Sequence, residues 1–188
     1  MVLLAILVTG ALCFQAALAH TASHTSQAAA RVVVQIPAHL TVSGPAVVAV
    51  DLHDRPIGSP IPANVRFLVS ANAQEVELQV ACTDLYQAGD PRSTHRIPVA
   101  GAGVRITCEH GHAVAGGDTL LRWQDSLPAG LLPAGWTGAV TEAATFTASP
   151  AATFSQNVAV EVTWNTTDPD LPLGEYQGYV KLIGLIRP

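Results

Sequence analysis

The run SQNVAVEVTW at residues 155–164 decides the fold class, because its side chains alternate between apolar and polar along the chain. One side of the run carries Val158, Val160, Val162 and Trp164. A period of two residues is that of a β-strand with one face against a core. A second run, EYQGYVKLIGLI at 175–186, repeats the alternation after a segment rich in Pro, Asp and Gly. We therefore predict a long β-hairpin here and an all-β domain around it.

The same alternation recurs in shorter runs towards the N-terminus, separated by Gly, Pro, Asn and Asp residues that favour turns. The predicted inward residues of these runs are Val32, Val34, Ile36, Leu40, Val42, Val65, Phe67, Val69, Val76, Leu78, Val80, Cys82, Val104, Ile106 and Cys108. No stretch has a sustained helical period. About eight or nine strands with polar outward residues predict an immunoglobulin-like β-sandwich rather than a membrane barrel.

The N-terminal segment has the composition of a secretory leader. Residues 1–19 are apolar almost throughout and end in Ala-Leu-Ala, a small-x-small cleavage pattern before His20. Residues 20–30 are small and polar without a period, which is typical of a mobile tail. The sequence thus predicts a signal peptide at 1–19, a flexible tail at 20–30 and a single β-sandwich domain at 31–188. The mature protein is expected in the periplasm, at the cell surface or outside the cell.

The charge of the chain bears on its partners. The formal net charge is −5 at pH 7, and the predicted leader contributes none of it. Nucleic-acid binding normally requires a basic surface that contacts phosphates. We therefore expect no nucleic-acid partner.

Two cysteines follow the leader, and both fall on the inward side of predicted strands. Cys82 ends one alternating run and Cys108 ends another. In an exported protein, two half-buried cysteines that face a common core favour a disulfide over a metal site or a nucleophile. Closing that loop would contribute about 3 to 4 kcal/mol in the chain-entropy account.

Two metal sites are alternatives to a purely structural interpretation. Alternation would place Cys108, His110 and His112 together, although zinc sites need three or four convergent ligands and Cys108 has a better partner in Cys82. Cleavage after residue 19 would make His20 the first residue. Its amino group and imidazole would then chelate copper, as in the histidine brace of lytic polysaccharide monooxygenases, although no second ligand histidine can be assigned. We predict no resident cofactor.

The sequence offers little for catalysis. No Gly-x-Ser-x-Gly elbow occurs, and the aspartates fall where turn-forming carboxylates are ordinary. Trp123, Trp136 and Trp164 would either form a carbohydrate platform or fill the core and cover its ends, and the second arrangement is commoner. We therefore predict that the protein is not an enzyme.

The C-terminal half resembles a family of surface proteins. Residues 143–186, with the GEYQGYV motif at 174–180, resemble the last two strands of fimbrial major subunits of the chaperone–usher class, especially colonisation-factor-type pilins. The residues of this closing strand are Tyr176, Gly178, Val180 and Leu182. The alternating N-terminal residues resemble that family's donor strand, and they are Ala28, Ala30, Val32, Val34 and Ile36.

This resemblance implies a structural or adhesive surface subunit. Its partners would be other copies of itself or related subunits, together with a periplasmic chaperone and an outer-membrane usher, and its location would be a fimbrium. Such subunits join when the donor strand of one copy adds to a sheet of the next. The alternatives are a copper-binding β-sandwich that uses His20 and a periplasmic accessory or binding domain.

Overall fold

The computed structural model describes most of the chain beyond residue 57 and parts of the segment before it. The described residues are 31, 35–45, 48–49, 58–109, 111–113 (backbone only), 119–125, 130–148, 153–166, 168 and 170–186. The predicted signal peptide and tail, His20, His110 and four of the donor-strand residues lie outside these ranges. The sheets all lie in a compact unit at Pro37–Pro188, and Met1–Ile36 is a separate unit.

Strands alone make up the regular structure of the described residues, and the structure contains thirteen of them. In chain order they are β1 (Leu40–Ser43), β2 (Pro60–Ala71), β3 (Glu75–Thr83), β4 (Leu85–Gln87), β5 (Arg96–Ile97), β6 (Gly103–Cys108), β7 (Gly111–Ala113), β8 (Thr119–Arg122), β9 (Gly138–Val140), β10 (Ala144–Ala148), β11 (Phe154–Asn165), β12 (Tyr176–Gln177) and β13 (Val180–Leu185).

The strands form two large sheets and one small sheet. The first sheet has the order β1-β2-β11-β6-β8, and its centre is the antiparallel pair of β2 and β11. The second has the order β13-β3-β10-β7, with β9 also paired to β3. The small sheet, β12-β4-β5, extends the second, because β4 follows β3 after one residue and β12 precedes β13.

The core lies between the two large sheets, where the inward residues of both form one cluster. Alternation places every second side chain of β2 and β11 against this core. Phe146 and Phe154 are its largest fully buried side chains, and burying each contributes about 2 to 3 kcal/mol. Two facing sheets with a shared apolar interior confirm the prediction of an all-β sandwich. The finer immunoglobulin-like assignment stays a prediction.

Two β-bulges interrupt the second sheet. Between the pairs Ala81↔Val140 and Leu78↔Ala144, the partner of β3 has one residue more than β3 itself. Between Cys82↔Val180 and Tyr86↔Gln177, the extra residue is on the β3–β4 side, next to Asp84. Bulges of this kind bend a strand and re-aim its side chains.

Two corners join the sheets at their sides. Val99 forms a bridge to Trp164, so the chain between β5 and β6 passes from the small sheet to the first sheet. Trp123, after β8, forms a bridge to Thr141 in the bulge of the second sheet. The sandwich is therefore connected through the backbone as well as through its core.

The prediction of a C-terminal hairpin is wrong, because the two runs do not pair with each other. Its first run is β11, which pairs with β2 and β6 in the first sheet. Its second run forms β12 and β13, which pair with β4 and β3. Both runs alternate because each covers the core, and the segment between them crosses from one sheet to the other.

The inward residues of the central strands agree with the prediction, whereas the N-terminal run does not. The predicted inward residues of β2, β3 and β11 are buried. Leu40 and Val42 of β1 are partly buried against the core. Ile36, which was predicted to face inward in a first strand, is 77% exposed and precedes β1.

Candidate interaction surfaces

Cys82 and Cys108 are both free thiols, so the structure does not contain the predicted disulfide. The reason is the distance between them. Cys82 is next to Thr83, whose carbonyl accepts a hydrogen bond from Trp164 Nε1 at 2.9 Å. Cys108 pairs with Val158, which precedes Trp164 by six positions on β11. Six residues of strand span about 20 Å, whereas bridged cysteines have Cα atoms about 4 to 7 Å apart. The two thiols therefore lie towards opposite ends of the sandwich.

Both thiols lie in environments that disfavour the thiolate. Cys82 is fully buried, and burial, together with the charge of Asp84, raises the pKa of its thiol far above the ordinary value. Burial also raises the pKa of the half-buried Cys108, from 9.0 to about 12. Neither cysteine has the lowered pKa of a nucleophile.

The alternative of a metal triad at Cys108, His110 and His112 would need all three residues on one strand, and Cys108 and His112 are not on one strand. Cys108 ends β6 in the first sheet, whereas the backbone of His112 pairs with Thr147 in the second. The chain therefore passes from one sheet to the other between Cys108 and His112, so a single alternating strand does not hold both. His110 lies outside the described residues. Within the described ranges, no group of three or more His, Cys, Asp or Glu side chains could hold a metal ion.

The predicted closing strand is divided between two sheets. Tyr176 pairs with Gln87 in the small sheet, whereas Val180 and Leu182 pair with β3 in the second sheet. Gly178 lies in the link, where a Cβ would meet the Asp84 carbonyl oxygen at 2.9 Å. Partial burial and the nearby Asp168 raise the pKa of Tyr176, whose hydroxyl donates to the Pro172 carbonyl at 3.0 Å.

The edges β1 and β13 of the two large sheets lie close together, and we call this region the β1–β13 seam. A Cβ added to Gly184 of β13 would meet Leu40 Cδ2 of β1 at 2.9 Å. The core is incompletely covered at this seam: on the inward side of β13, only Leu182 is buried. The partly buried apolar residues along the two edges are Leu40, Val42, Val180 and Ile186.

Asp84 lies in the bulge between β3 and β4, and its buried carboxylate is the centre of a hydrogen-bond cluster. Oδ1 accepts the backbone N–H of Val99 at 3.0 Å. Oδ2 accepts the hydroxyl of Thr137 at 2.7 Å and the guanidinium of Arg96 at 3.3 Å. Because Val99 also forms a bridge to Trp164, the carboxylate connects the corner of the two sheets to the segment that holds Thr137.

Three aromatic side chains, Tyr86, Trp136 and Tyr179, form what we call the aromatic patch. Trp136 packs edge-to-face against Tyr86 at 5.1 Å and against Tyr179 at 4.9 Å between ring centroids. Tyr86 is buried but does not belong to the main core cluster, which indicates that Trp136 covers it on the outer side of the sheet. Tyr179 is 55% exposed.

An open groove of about 490 Å³ lies beside the patch, and we call it the polar groove. It is lined by Gln87, Ala88, Asp90, Ser93, Gly174, Glu175 and Gln177. Gln177 connects the two surfaces, because it lines the groove and precedes Tyr179 by two positions. Within the groove, Gln177 Nε2 donates to Glu175 Oε1 at 3.0 Å.

The three tryptophans do not form a common platform. Trp164 is buried in the core. Trp123 is half-buried near the second corner, and its Nε1 is buried without a hydrogen-bond partner among the described residues. Trp136 alone belongs to the aromatic patch, so the alternative of a platform of three tryptophans is excluded, and Trp164 and Trp123 pack in or against the core as the commoner arrangement predicts.

Sequence reasoning did not identify the Asp84 cluster or the patch. The one available signal was the Thr83-Asp84 pair, where polar residues end the long alternation of β3. The partners of Asp84 come from distant parts of the chain, so no spacing in the sequence indicated them.

The fold and these surfaces define an all-β sandwich whose notable features are its edges and its outward-facing side chains. No protein-family model matches the chain, and no curated protein matches it significantly. The described residues include no helix of the length and apolar character that a membrane span needs.

Proposed function

We propose that this chain is an exported structural or adhesive surface subunit that assembles by strand addition along the β1–β13 seam. The observation that supports this proposal most strongly is the incomplete cover of the core at the seam. Leu40 and Val42 on one side, and Val180 and Ile186 on the other, remain partly exposed. An extra apolar strand that entered between the two edges and moved them apart would bury them.

The backbone of β13 is suited to the same role. Among the described strands, β13 pairs with β3 alone and is an edge of the second sheet. An edge strand presents unpaired N–H and C=O groups that pair readily with another chain. Strand addition derives its affinity from these main-chain hydrogen bonds and its specificity from alternate side chains that enter pockets.

The donor in this proposal is residues 28–36 of a second copy, AAARVVVQI. Its alternating residues, Ala28, Ala30, Val32, Val34 and Ile36, would face the core of the acceptor. The side chain of Ile36 is 77% exposed, so it is available to pack against another chain. In an exported protein a periplasmic chaperone and an outer-membrane usher are the proposed assembly partners, and a fimbrium is the proposed product.

Assembly of the purified mature protein tests the proposal. The wild type should form polymers by light scattering and electron microscopy, and deletion of residues 20–36 should leave monomers. Val34→Asp should also abolish assembly, since it would place a charge in an apolar pocket. Gln35→Asp on the opposite side of the donor is the matched control and should leave assembly intact. Unchanged polymers after the deletion would exclude strand addition.

A further inference from the structure

We propose that the aromatic patch and the polar groove together bind a neutral oligosaccharide. This inference does not depend on strand addition, because neither surface includes a residue of the seam. It follows from three observations: exposed aromatic rings, a groove lined with hydrogen-bonding groups, and a hydrogen-bond cluster that holds the aromatic patch in place.

The aromatic patch supplies a surface on which sugar rings stack. Pyranose rings have faces of C–H groups that pack against aromatic side chains, and their hydroxyls remain at the rim. Tyr179 is 55% exposed, and Trp136 beside it is partly exposed. Tyrosine and tryptophan combine an apolar ring with a polar group, which suits a ligand that is apolar on its faces and polar at its edges.

The patch is fixed before any ligand arrives. Thr137, next to Trp136, bonds through its hydroxyl to the Asp84 carboxylate at 2.7 Å and to the Tyr86 hydroxyl at 2.6 Å. The Tyr179 N–H donates to the buried Thr83 hydroxyl at 2.8 Å. Because both sides of the patch are tied to the same bulge, a ligand would order few side chains on binding. A smaller ordering cost leaves more of the contact energy as affinity.

The polar groove supplies the directional contacts that sugar hydroxyls need. Its amides, Gln87 and Gln177, each offer both donors and acceptors. Ser93 adds a hydroxyl that both donates and accepts, and the carboxylates of Asp90 and Glu175 add acceptors.

The charges favour a neutral sugar over an acidic one. Arg96, a cation near the patch, is paired with Asp84 at 3.3 Å, and the exposed Lys181 near Tyr179 does not line the groove. The groove carries Asp90 and Glu175 without a cationic side chain in its lining, and the net charge of the chain is −5. A uronate or sulfated sugar would therefore be repelled. A metal ion is also disfavoured there, since no group of three or more His, Cys, Asp or Glu side chains among the described residues could hold one.

Calorimetric titration of the full chain with cellopentaose, chitopentaose and mannopentaose tests this inference. At least one of the three should bind saturably, and Tyr179→Ala should weaken that binding about tenfold through loss of the stacking surface. Tyr179→Phe should retain most of the affinity, because the ring remains. Gln177→Ala should also weaken binding by removing an amide from the groove.

Leu120→Ala is the matched control, because Leu120 is 52% exposed on the other large sheet. It should leave sugar affinity unchanged. Absence of saturable binding for all three sugars at millimolar concentration would overturn the inference, as would equal affinity in the wild type and Tyr179→Ala. Light scattering on the same samples reports assembly separately, so failure of one proposal is distinguishable from failure of the other.

Discussion

Asp84 is a buried carboxylate whose three partners come from two separate parts of the chain, residues 96–99 and residue 137. Its side chain is 9% exposed, and it accepts bonds from Val99, Thr137 and Arg96. A buried charge is tolerated only where such bonds replace its hydration. Through its bond to Thr137, Asp84 therefore fixes the position of the segment that carries Trp136.

Replacing Asp84 tests that dependence. We expect Asp84→Asn to lower the free energy of unfolding by about 2 to 3 kcal/mol, because the amide nitrogen cannot accept the bonds that a carboxylate oxygen accepts. Urea denaturation measures the change. Glu161→Gln is the control, since Glu161 and its partner Arg105 are 49% and 59% exposed and 3.7 Å apart. That substitution should cost less than about 0.5 kcal/mol, and equal losses in both variants would contradict the role given to Asp84.

The free thiols predict how stability depends on pH. In the folded state the pKa of Cys82 lies far above its ordinary value, and that of Cys108 is raised from 9.0 to about 12. The unfolded chain loses these protons first, so the free energy of unfolding should fall as the pH rises above about 9. Cys108→Ala should reduce the slope of that fall. A free energy of unfolding that does not change between pH 8 and about 11 would contradict this account.

The connection between β4 and β5 contains a strained residue, because Ala88 has a backbone conformation that favours glycine or asparagine. The connection begins with the local turn Gln87–Asp90, whose central residues are both left-handed, with a φ of 51° at Ala88 and 70° at Gly89. Turns with two left-handed central residues prefer Asn-Gly, because alanine is disfavoured in that conformation. Ala88→Asn should therefore raise the free energy of unfolding by about 0.5 to 1 kcal/mol.

Gly89→Ala is the matched change of opposite sign. It would place a side chain in the left-handed region, where its Cβ would also meet Gln177 Oε1 at 2.5 Å. We expect a lower melting temperature than in the wild type, measured by circular dichroism. Destabilisation by Ala88→Asn, or no effect from Gly89→Ala, would show that the turn conformation is not as described.

The strands were largely predictable as elements, but their pairing was not. β2, β3 and β11 each bury every second residue, and that period is visible in the sequence. β11 and β13 alternate in the same way whether they pair with each other or cover the core from opposite sheets. Local pattern carries no information about the partner, so the hairpin prediction failed. The same limit applied to Cys82 and Cys108, whose inward direction does not specify their positions along the strands.

At the scale of the whole molecule, the class of fold follows from the number of alternating runs and the absence of a helical period. The corners at Val99–Trp164 and Trp123–Thr141 could not be derived from this sequence pattern, because each depends on contacts between residues far apart in the chain. The β1–β13 seam could not be predicted from the sequence either, since the incomplete cover of the core results from how the two sheets pack together. Tertiary contacts therefore determine both candidate surfaces.

The location of β1 and β13 in different sheets, each at an edge, has a mechanical consequence. A pulling force applied through either strand would peel it away from a single neighbour, a few hydrogen bonds at a time. The long central pair of β2 and β11 would carry little of that load. If copies of the chain were joined along these edges, the edge strands would therefore yield first under tension and the central pair would stay intact.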